Sequence, residues 1–449
     1  MTEPRTIYAL ATPPGMGALA VVRLSGAAAL AALQQLSGKQ SFAPRMATRV
    51  WLRDPETGAP IDDGMAVYFP APHSFTGEET VEFTLHGGRA TVQGTLAALA
   101  VCEGLRIAEP GEFTRRAFEN GKLDLTQAEA IADLIHAETS LQRAQALGQL
   151  AGALRDLYHD WATCLTTLLA HAEAEIDFPD EDLPDGTAAA LSAPLQKLTT
   201  ELQNHLSDNR RGERLRDGIT VVILGAPNAG KSTLLNTLAQ RDVAIVTDIP
   251  GTTRDVLEVH LDLSGYPVTL LDTAGLRETH DAVESEGIRR ARTHAEAADL
   301  KLCLFDAGTE MDAATEELID ENTIIVLTKK DRPFRPVKSG NSWAPAFAGV
   351  TVSVSAKTGE GIDALLDAIT RKLETIFYQA REAPSLTRAR HREALEECLA
   401  ALHRAGVANL PELIAEDLRL ALRALGRITG RVDVEDLLDK IFKDFCVGK

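Results

Sequence analysis

The sequence predicts a multidomain chain that joins mixed α/β architecture to an all-α part. An α+β N-terminal domain takes residues 1–119, a discontinuous helical domain takes 120–216 and 377–449, and a Ras-like P-loop α/β domain, 217–376, is inserted into it. Three observations predict this. The octet Gly225-Ala226-Pro227-Asn228-Ala229-Gly230-Lys231-Ser232 stands between an apolar run, Ile219 to Leu224, and a helix-like run that begins at Thr233. Strand, glycine loop and helix form the setting that a G-x-x-x-x-G-K-S phosphate loop requires. Further strands at Leu257 to Leu263, Val268 to Leu271, Leu300 to Phe305, Thr323 to Leu327 and Val352 to Val354 are separated by helical segments, as in an open, mostly parallel sheet. On both sides of this block the pattern is helical.

Composition sets the bounds. A chain of 449 residues, 25% charged and 45% hydrophobic, is long enough for about two to four globular domains. A net charge of −19 argues against a broad nucleic-acid platform, so an RNA substrate would need a more basic partner or a local patch. Cys102, Cys164, Cys303, Cys398 and Cys446 are scattered without a C-x-x-C pair, which fits a reducing compartment. No apolar run reaches membrane-spanning length, and Met1-Thr2-Glu3-Pro4-Arg5 lacks the apolar core of a signal peptide. The expected location is cytoplasmic, with no membrane partner.

In order along the chain, Ile7 to Leu10 and Ala18 to Leu24 read as strands around Pro13-Pro14-Gly15-Met16-Gly17, followed by a helix from Ala27 to Leu36. Met65 to Phe69 and Thr80 to Leu85 suggest a second strand pair, and His86-Gly87-Gly88 leads into a helix ending near Gly104. Thr126 to Glu129 has the form of a capping box. Leu147, Leu150, Leu154, Leu157, Trp161, Leu165 and Leu168 repeat as one stripe of a long bundle helix. An acidic run, Glu173 to Asp185, reads as a solvated loop, and a helix follows from Ala190 to Leu206. Arg210, Arg211, Arg214 and Arg216 suit either phosphate contacts or a solvated helix end. After an insertion from Asp331 to Gly349, helices return at Ala389 to Ala405, Leu413 to Leu425 and Val434 to Phe445, with a break at Gly430.

The chemistry follows from the motifs. Glycines curl the phosphate loop so that N–H groups, those of Ala229, Gly230 and Thr233 among them, face phosphate oxygens. Lys231 would neutralise the β- and γ-phosphates, and the Ser232 hydroxyl would take one Mg²⁺ position. Asp272-Thr273-Ala274-Gly275 ends a strand, where the aspartate can hold Mg²⁺ through water and the glycine N–H can meet the γ-phosphate. Between these motifs lie Thr247, Asp248, Ile249, Pro250, Gly251, Thr252 and Thr253, where a switch threonine would complete Mg²⁺ coordination. In Thr328-Lys329-Lys330-Asp331 the Asp331 carboxylate can accept both guanine N1–H and N2–H₂, a donor pair adenine lacks. Ser355-Ala356-Lys357 can present backbone N–H groups to guanine O6. Together these imply a GTP-binding hydrolase.

Two departures stand out. Thr328 replaces the asparagine of N-K-x-D and lacks the amide that would bridge guanine N7 and the phosphate loop. Leu276 stands where Ras-like enzymes carry a water-orienting glutamine. Glu284 is the nearest acidic substitute apart from Glu278 and Asp281. Asn228 offers a neutral oxygen to a monovalent cation, which could supply the charge an arginine finger supplies elsewhere.

These motifs, with G-T-T-R-D at 251–255, D-T-A-G-L-R at 272–277, the terminal F-C-V-G-K, the stretch 111–131 and I-D-F-P-D-E-D at 176–182, resemble the MnmE (TrmE) family of tRNA-modification GTPases over essentially the whole chain. The resemblance implies an N-terminal domain that binds folate and forms a homodimer, a helical domain and a potassium-dependent G domain. It implies a tetrahydrofolate cofactor (5,10-methylene- or 5-formyl-) and work on tRNA with the flavoprotein MnmG, in a heterotetramer or larger complex with FAD on the partner only. The reaction would place an aminomethyl-type or carboxymethylaminomethyl group at C5 of the wobble uridine. By position, Asn228, Thr247, Ile249 and Thr252 match potassium ligands, Ser232 and Thr253 match Mg²⁺ ligands, and Glu284 matches the catalytic water-organising glutamate. Arg23, Glu82, Lys122 and Lys449 match folate-site residues, and Cys446 the family's terminal cysteine.

The competing reading is a regulatory switch GTPase in ribosome assembly, which the phosphate loop and switches alone would also fit. A membrane-remodelling GTPase would need an amphipathic basic segment, which the sequence does not offer.

Overall fold

The computed structural model describes residues 5–177, 187–208, 210–245, 258–272, 292–307, 309, 312–331, 350–377, 384–432, 435–443, 445 and 447–448. The insertion after Asp331, most of the acidic run and the segments 246–257 and 273–291 lie outside these. The chain divides into two compact units, Met1–Ala132 with Gln149–Leu198 and Glu397–Lys449, and Asp133–Gly148 with Thr199–Glu396. Among the described residues no helix is long and apolar enough to cross a membrane.

The first unit holds a six-stranded sheet built from β1 (Thr6–Leu10), β2 (Leu19–Ser25), β3 (Thr48–Arg53), β4 (Pro60–Phe69), β5 (Thr80–His86) and β6 (Leu105–Ile107). Its order is β3-β4-β5-β2-β1-β6, antiparallel except for the β1–β6 edge. Helices Ala29–Ser37 and Arg89–Ala100 bury Leu33, Leu36, Ala98 and Leu99 against Val22, Leu24, Val50 and Phe83. Two strands escape a reading of the sequence. In β3 only Val50 and Leu52 face inward, while Arg49, Trp51 and Arg53 face out, so its apolar signal is weak. β6 is three residues long and depends on β1 for its bonds. Gly87 is required for packing: a Cβ there would run into the Gly17 backbone.

The helices from Leu125 to Asp177 correct two expectations. The stripe from Leu147 to Leu168 is not one helix, because Gly152, at φ 102°, separates Ser140–Leu150 from Ala153–Asp177. The second helix buries Leu154, Tyr158, Trp161, Leu165 and Leu168 and packs along Pro411–Thr429. Leu147 is exposed. The capping box lies two residues earlier than expected. Asp124 Oδ1 accepts from the Gln127 N–H at 2.8 Å and Gln127 Oε1 accepts from the Asp124 N–H at 3.2 Å, while Thr126 and Glu129 are buried.

The second unit is the parallel sheet: β7 (Ile219–Gly225), β8 (Glu258–Leu263), β9 (Tyr266–Asp272), β10 (Leu300–Asp306), β11 (Thr323–Thr328) and β12 (Val350–Ser353), in the order β12-β11-β10-β7-β9-β8. Only β8 runs antiparallel, turned through Ser264-Gly265, both at positive φ. The central strands are apolar on both faces, as a sheet covered on both sides must be.

Of the four linker arginines, Arg210 is exposed, as a solvated helix end would be, whereas Arg214 and Arg216 are tied into ion pairs. Arg214 pairs with Asp299 at 2.7 Å, and Arg216 with Asp133 at 2.9 Å. Asp133 also pairs with Arg388 at 2.7 Å, and Arg392 bonds Asp208 and Glu213 at 2.8 and 2.9 Å. The segments leading into and out of the sheet are thus tied to shared carboxylates. His205 lies beside this cluster, and burial pushes its imidazole down to about 4; Arg392 and His391 add to this, against Asp208. Because the folded value lies below the ordinary 6.5, its contribution is complete above pH 6.5 and lost as pH falls toward 4. The expected cost over that window is about 3 kcal/mol. Urea unfolding at pH 7 and pH 5, which spans about 1.5 of the roughly 2.5 pH units in that window, should show about 2 kcal/mol of this loss in the parent protein and a clearly smaller one in His205→Asn.

Candidate functional site

In the second unit the loop after β7 bends through left-handed backbone at Gly225, Asn228 and Gly230, at φ 152°, 65° and 100°. Gly225 has no alternative, since a Cβ would strike the Leu304 carbonyl oxygen at 2.6 Å. Helix Lys231–Ala239 starts at once, so its free N–H groups and positive end face the loop interior. Lys231 is buried and donates from Nζ to the carbonyls of Gly225 and Ala226 at 2.8 and 3.0 Å. The Ser232 hydroxyl donates to Asp272 Oδ2 at 2.7 Å, and Asp272 is fully buried at the end of β9.

On the neighbouring strand ends, Lys329 follows β11 in left-handed backbone and pairs with Asp306 at 2.6 Å. Ser355 is fully buried and donates to Asp331 Oδ1 at 2.7 Å. The Ala356 carbonyl accepts from the Thr237 hydroxyl at 2.9 Å, which ties the Ser355-Ala356-Lys357 turn to the phosphate-loop helix. Asn228, Ala229, Gly230, Lys231, Ser232, Asp272, Lys329, Asp331 and Ser355 therefore sit along one edge of the sheet, where open α/β sheets bind ligands. Thr247, Asp248, Ile249, Pro250, Gly251, Thr252, Thr253, Thr273, Ala274, Gly275 and Glu284 lie outside the described residues.

Thr328 keeps one half of the bridge that the missing amide would make. It is buried, and its hydroxyl donates to the Ala229 carbonyl at 2.7 Å and leans on the Phe305 carbonyl at 3.2 Å. The tie to the phosphate loop is kept through a shorter side chain.

In the first unit a second polar group assembles at β2 and β5. Arg23 and Glu82 are cross-strand partners and pair at 2.8 Å. The Arg23 guanidinium carbon lies 5.5 Å from the Phe75 ring centre and 5.8 Å from that of Phe113. Phe75 comes from a strap, residues 70–79, held by several bonds. Lys122 donates to the Pro72 carbonyl at 3.0 Å, Asn120 to the Thr76 carbonyl at 2.8 Å, and Arg116 pairs with Glu78 at 3.0 Å. The C-terminal segment comes to the same sheet: Val447 bridges to Pro110, and Gly448 lies against Leu10, which faces Val22 across β1 and β2, and against Ala11, whose N–H donates to the Val21 carbonyl. Of the four residues matched to a folate site, three are described: Arg23 and Glu82 as a pair, and Lys122 bonded to the strap at Pro72. Lys449, like Cys446, lies outside the described residues.

Residues 125–446 match the MnmE helical domain, and residues 6–122 match the N-terminus of GTP-binding protein TrmE. A protein of Parvibaculum lavamentivorans named tRNA modification GTPase MnmE is 56% identical over 448 residues, covering 99% of this chain and 100% of its own. The chain belongs to the MnmE family. MnmE proteins of Paramagnetospirillum magneticum and Rhodospirillum rubrum are 54% identical over 447 residues and 51% over 458; each alignment covers 99% of both chains.

Within this MnmE chain, sequence reasoning missed Phe75, Phe113 and the Thr328 tether. An aromatic in a loop or helix carries no periodic signal that it will face an arginine, and a hydroxyl does not announce a partner 99 residues away. Gly448, at φ 97°, would drive a Cβ into the Leu10 carbonyl. Gly448→Ala should therefore detach the terminal segment. Carboxypeptidase trimming should accelerate by about tenfold, as expected for about 1–2 kcal/mol of strain at such a position. The melting temperature should move little.

Proposed function

We propose that this chain, a GTPase of the tRNA modification family, hydrolyses GTP with activation by potassium. It would act with the FAD-containing partner MnmG to add an aminomethyl-type group at C5 of the wobble uridine. The observation that carries the nucleotide part is the meeting, on one sheet edge, of the phosphate loop with Asp272 and with the Asp331–Ser355 pair. Each answers a different part of GTP. Lys231 would exchange its two loop carbonyls for β- and γ-phosphate oxygens, and Ser355 orients the carboxylate that selects guanine over adenine.

The residues fit a magnesium ion. A serine hydroxyl and a fully buried carboxylate 2.7 Å apart form a hard oxygen donor set facing the phosphate site. Ser232 and Thr253 would hold the ion, with Asp272 behind them, and it would supply charge neutralisation between the β- and γ-phosphates. Asn228 lies within the loop, and its side-chain oxygen would be offered to potassium on the family pattern. Thr247, Ile249 and Thr252 would complete that shell on the family pattern, and Glu284 would organise the attacking water.

For the folate derivative, the Arg23–Glu82 pair offers a charged fork beside two aromatic rings, a setting suited to a flat, polar ring system. Lys122 and the segment ending in Lys449 would meet the ligand's carboxylates. The N-terminal domain would form the homodimer.

Two measurements test this reading. Asp331→Asn should lower GTP turnover and raise xanthosine triphosphate turnover, since an amide can donate to the xanthine C2 oxygen. Equal hydrolysis of ATP and GTP by the parent protein would refute the guanine site. Hydrolysis of GTP should rise on replacing sodium with potassium chloride, by up to about 10³-fold if the cation does the work of an arginine finger. Equal kcat in the two salts would remove the potassium assignment.

A further inference from the structure

We infer that this protein recognises guanine without using N7, because Thr328 has committed its one donor to the phosphate loop. The inference rests on the guanine-site reading above and concerns which edge of the base that site reads.

Thr328 is the last residue of β11, paired in parallel register with Asp306 on β10. Its side chain is 3% exposed, and the hydroxyl has carbonyl oxygens on two sides, Ala229 at 2.7 Å and Phe305 at 3.2 Å. A hydroxyl carries a single hydrogen, whereas an amide carries two. An asparagine at this place could hold the loop and still donate to a second acceptor. A threonine can do only one of these, and here its proton lies on the closer carbonyl, Ala229. Guanine N7 is an acceptor without hydrogen, so it can take nothing from the hydroxyl's lone pairs. If the hydroxyl turned to N7, it would give up its buried 2.7 Å bond to the Ala229 carbonyl, which costs more than one solvent-competed bond returns.

The rest of base recognition does not depend on N7. Asp331 addresses N1–H and N2–H₂, with its Oδ1 set by Ser355 at 2.7 Å. The Ser355-Ala356-Lys357 turn addresses O6 through its backbone N–H groups, with the Thr237 hydroxyl lying 2.9 Å from both the Ala356 and the Thr233 carbonyls. Thr328 is thus a positioning residue for the phosphate loop and the place where specificity for the imidazole edge is given up.

The test compares GDP with 7-deaza-GDP, in which a C–H replaces N7 and every other recognised atom stays. Calorimetry on the full-length protein should give dissociation constants within about twofold of each other. Thr328→Asn should acquire discrimination, binding GDP about two- to tenfold better than 7-deaza-GDP, the range for one net hydrogen bond. Thr328→Val, which keeps the shape and loses the tether, should weaken both ligands by the same factor, and Thr328→Ser should restore both. A parent protein that binds 7-deaza-GDP more than about fivefold worse than GDP would overturn the inference while leaving the guanine site intact. Failure to bind either ligand would overturn the guanine site and the inference with it.

Discussion

The nucleotide unit depends on a backbone constraint: between β7 and the next helix the chain must turn within five residues, with its N–H groups pointing inward. Left-handed geometry at Gly225, Asn228 and Gly230 makes this turn. The Leu304 backbone leaves no room for a side chain at Gly225, so the loop is wedged against β10 as well as bent. Lys231 stands over this turn with its ammonium on the loop's own carbonyls, those of Gly225 and Ala226. The surrounding contacts hold this shape from three sides. Asp272 reaches Ser232 from β9, Thr328 reaches Ala229 from β11, and Thr237 joins the following helix to the Ser355-Ala356-Lys357 turn.

A parallel sheet suits this arrangement because all its strands end on the same side. β7, β9, β10 and β11 deliver the phosphate loop, Asp272, Asp306 and Thr328 to one edge without any long connection having to fold back. The carboxylates Asp133, Asp208 and Glu213 do comparable work at the ends of the unit. They take arginines from before β7 and from after the last helix of the sheet. Pairs as enclosed as Arg392 with Asp208 hold geometry more than they add stability, since desolvation offsets much of their attraction.

Much of this was legible in the residues. β7, the glycine loop and the Ser264-Gly265 hairpin lie where apolar runs and turn residues placed them, because those signals are local and strong. The capping box was misplaced by two residues for an instructive reason. Asp124-x-x-Gln127 and Thr126-x-x-Glu129 both satisfy the pattern, and burial of Thr126 and Glu129 decides between them. The long leucine stripe hid a break because leucine spacing continues through Gly152, whose left-handed backbone interrupts the helix without interrupting the pattern. The arginines before β7 could be given no partners from sequence, since Asp299 and Asp133 lie 85 and 83 positions away from Arg214 and Arg216.

By itself, then, the sequence determined the glycine loop and the strands that carry it, and it pointed to guanine as the base that Asp331 would read. These follow from short stretches whose conformations are set by neighbouring residues and by the stereochemistry of glycine. Only the tertiary structure decided that Thr328 still holds the phosphate loop, that Arg23 faces Glu82, Phe75 and Phe113, and that Gly448 lies against Leu10. Each of these joins groups far apart in the chain. Whether a hydroxyl, a guanidinium or a missing side chain matters there depends on which atoms the completed sheets bring within about 3–6 Å of it.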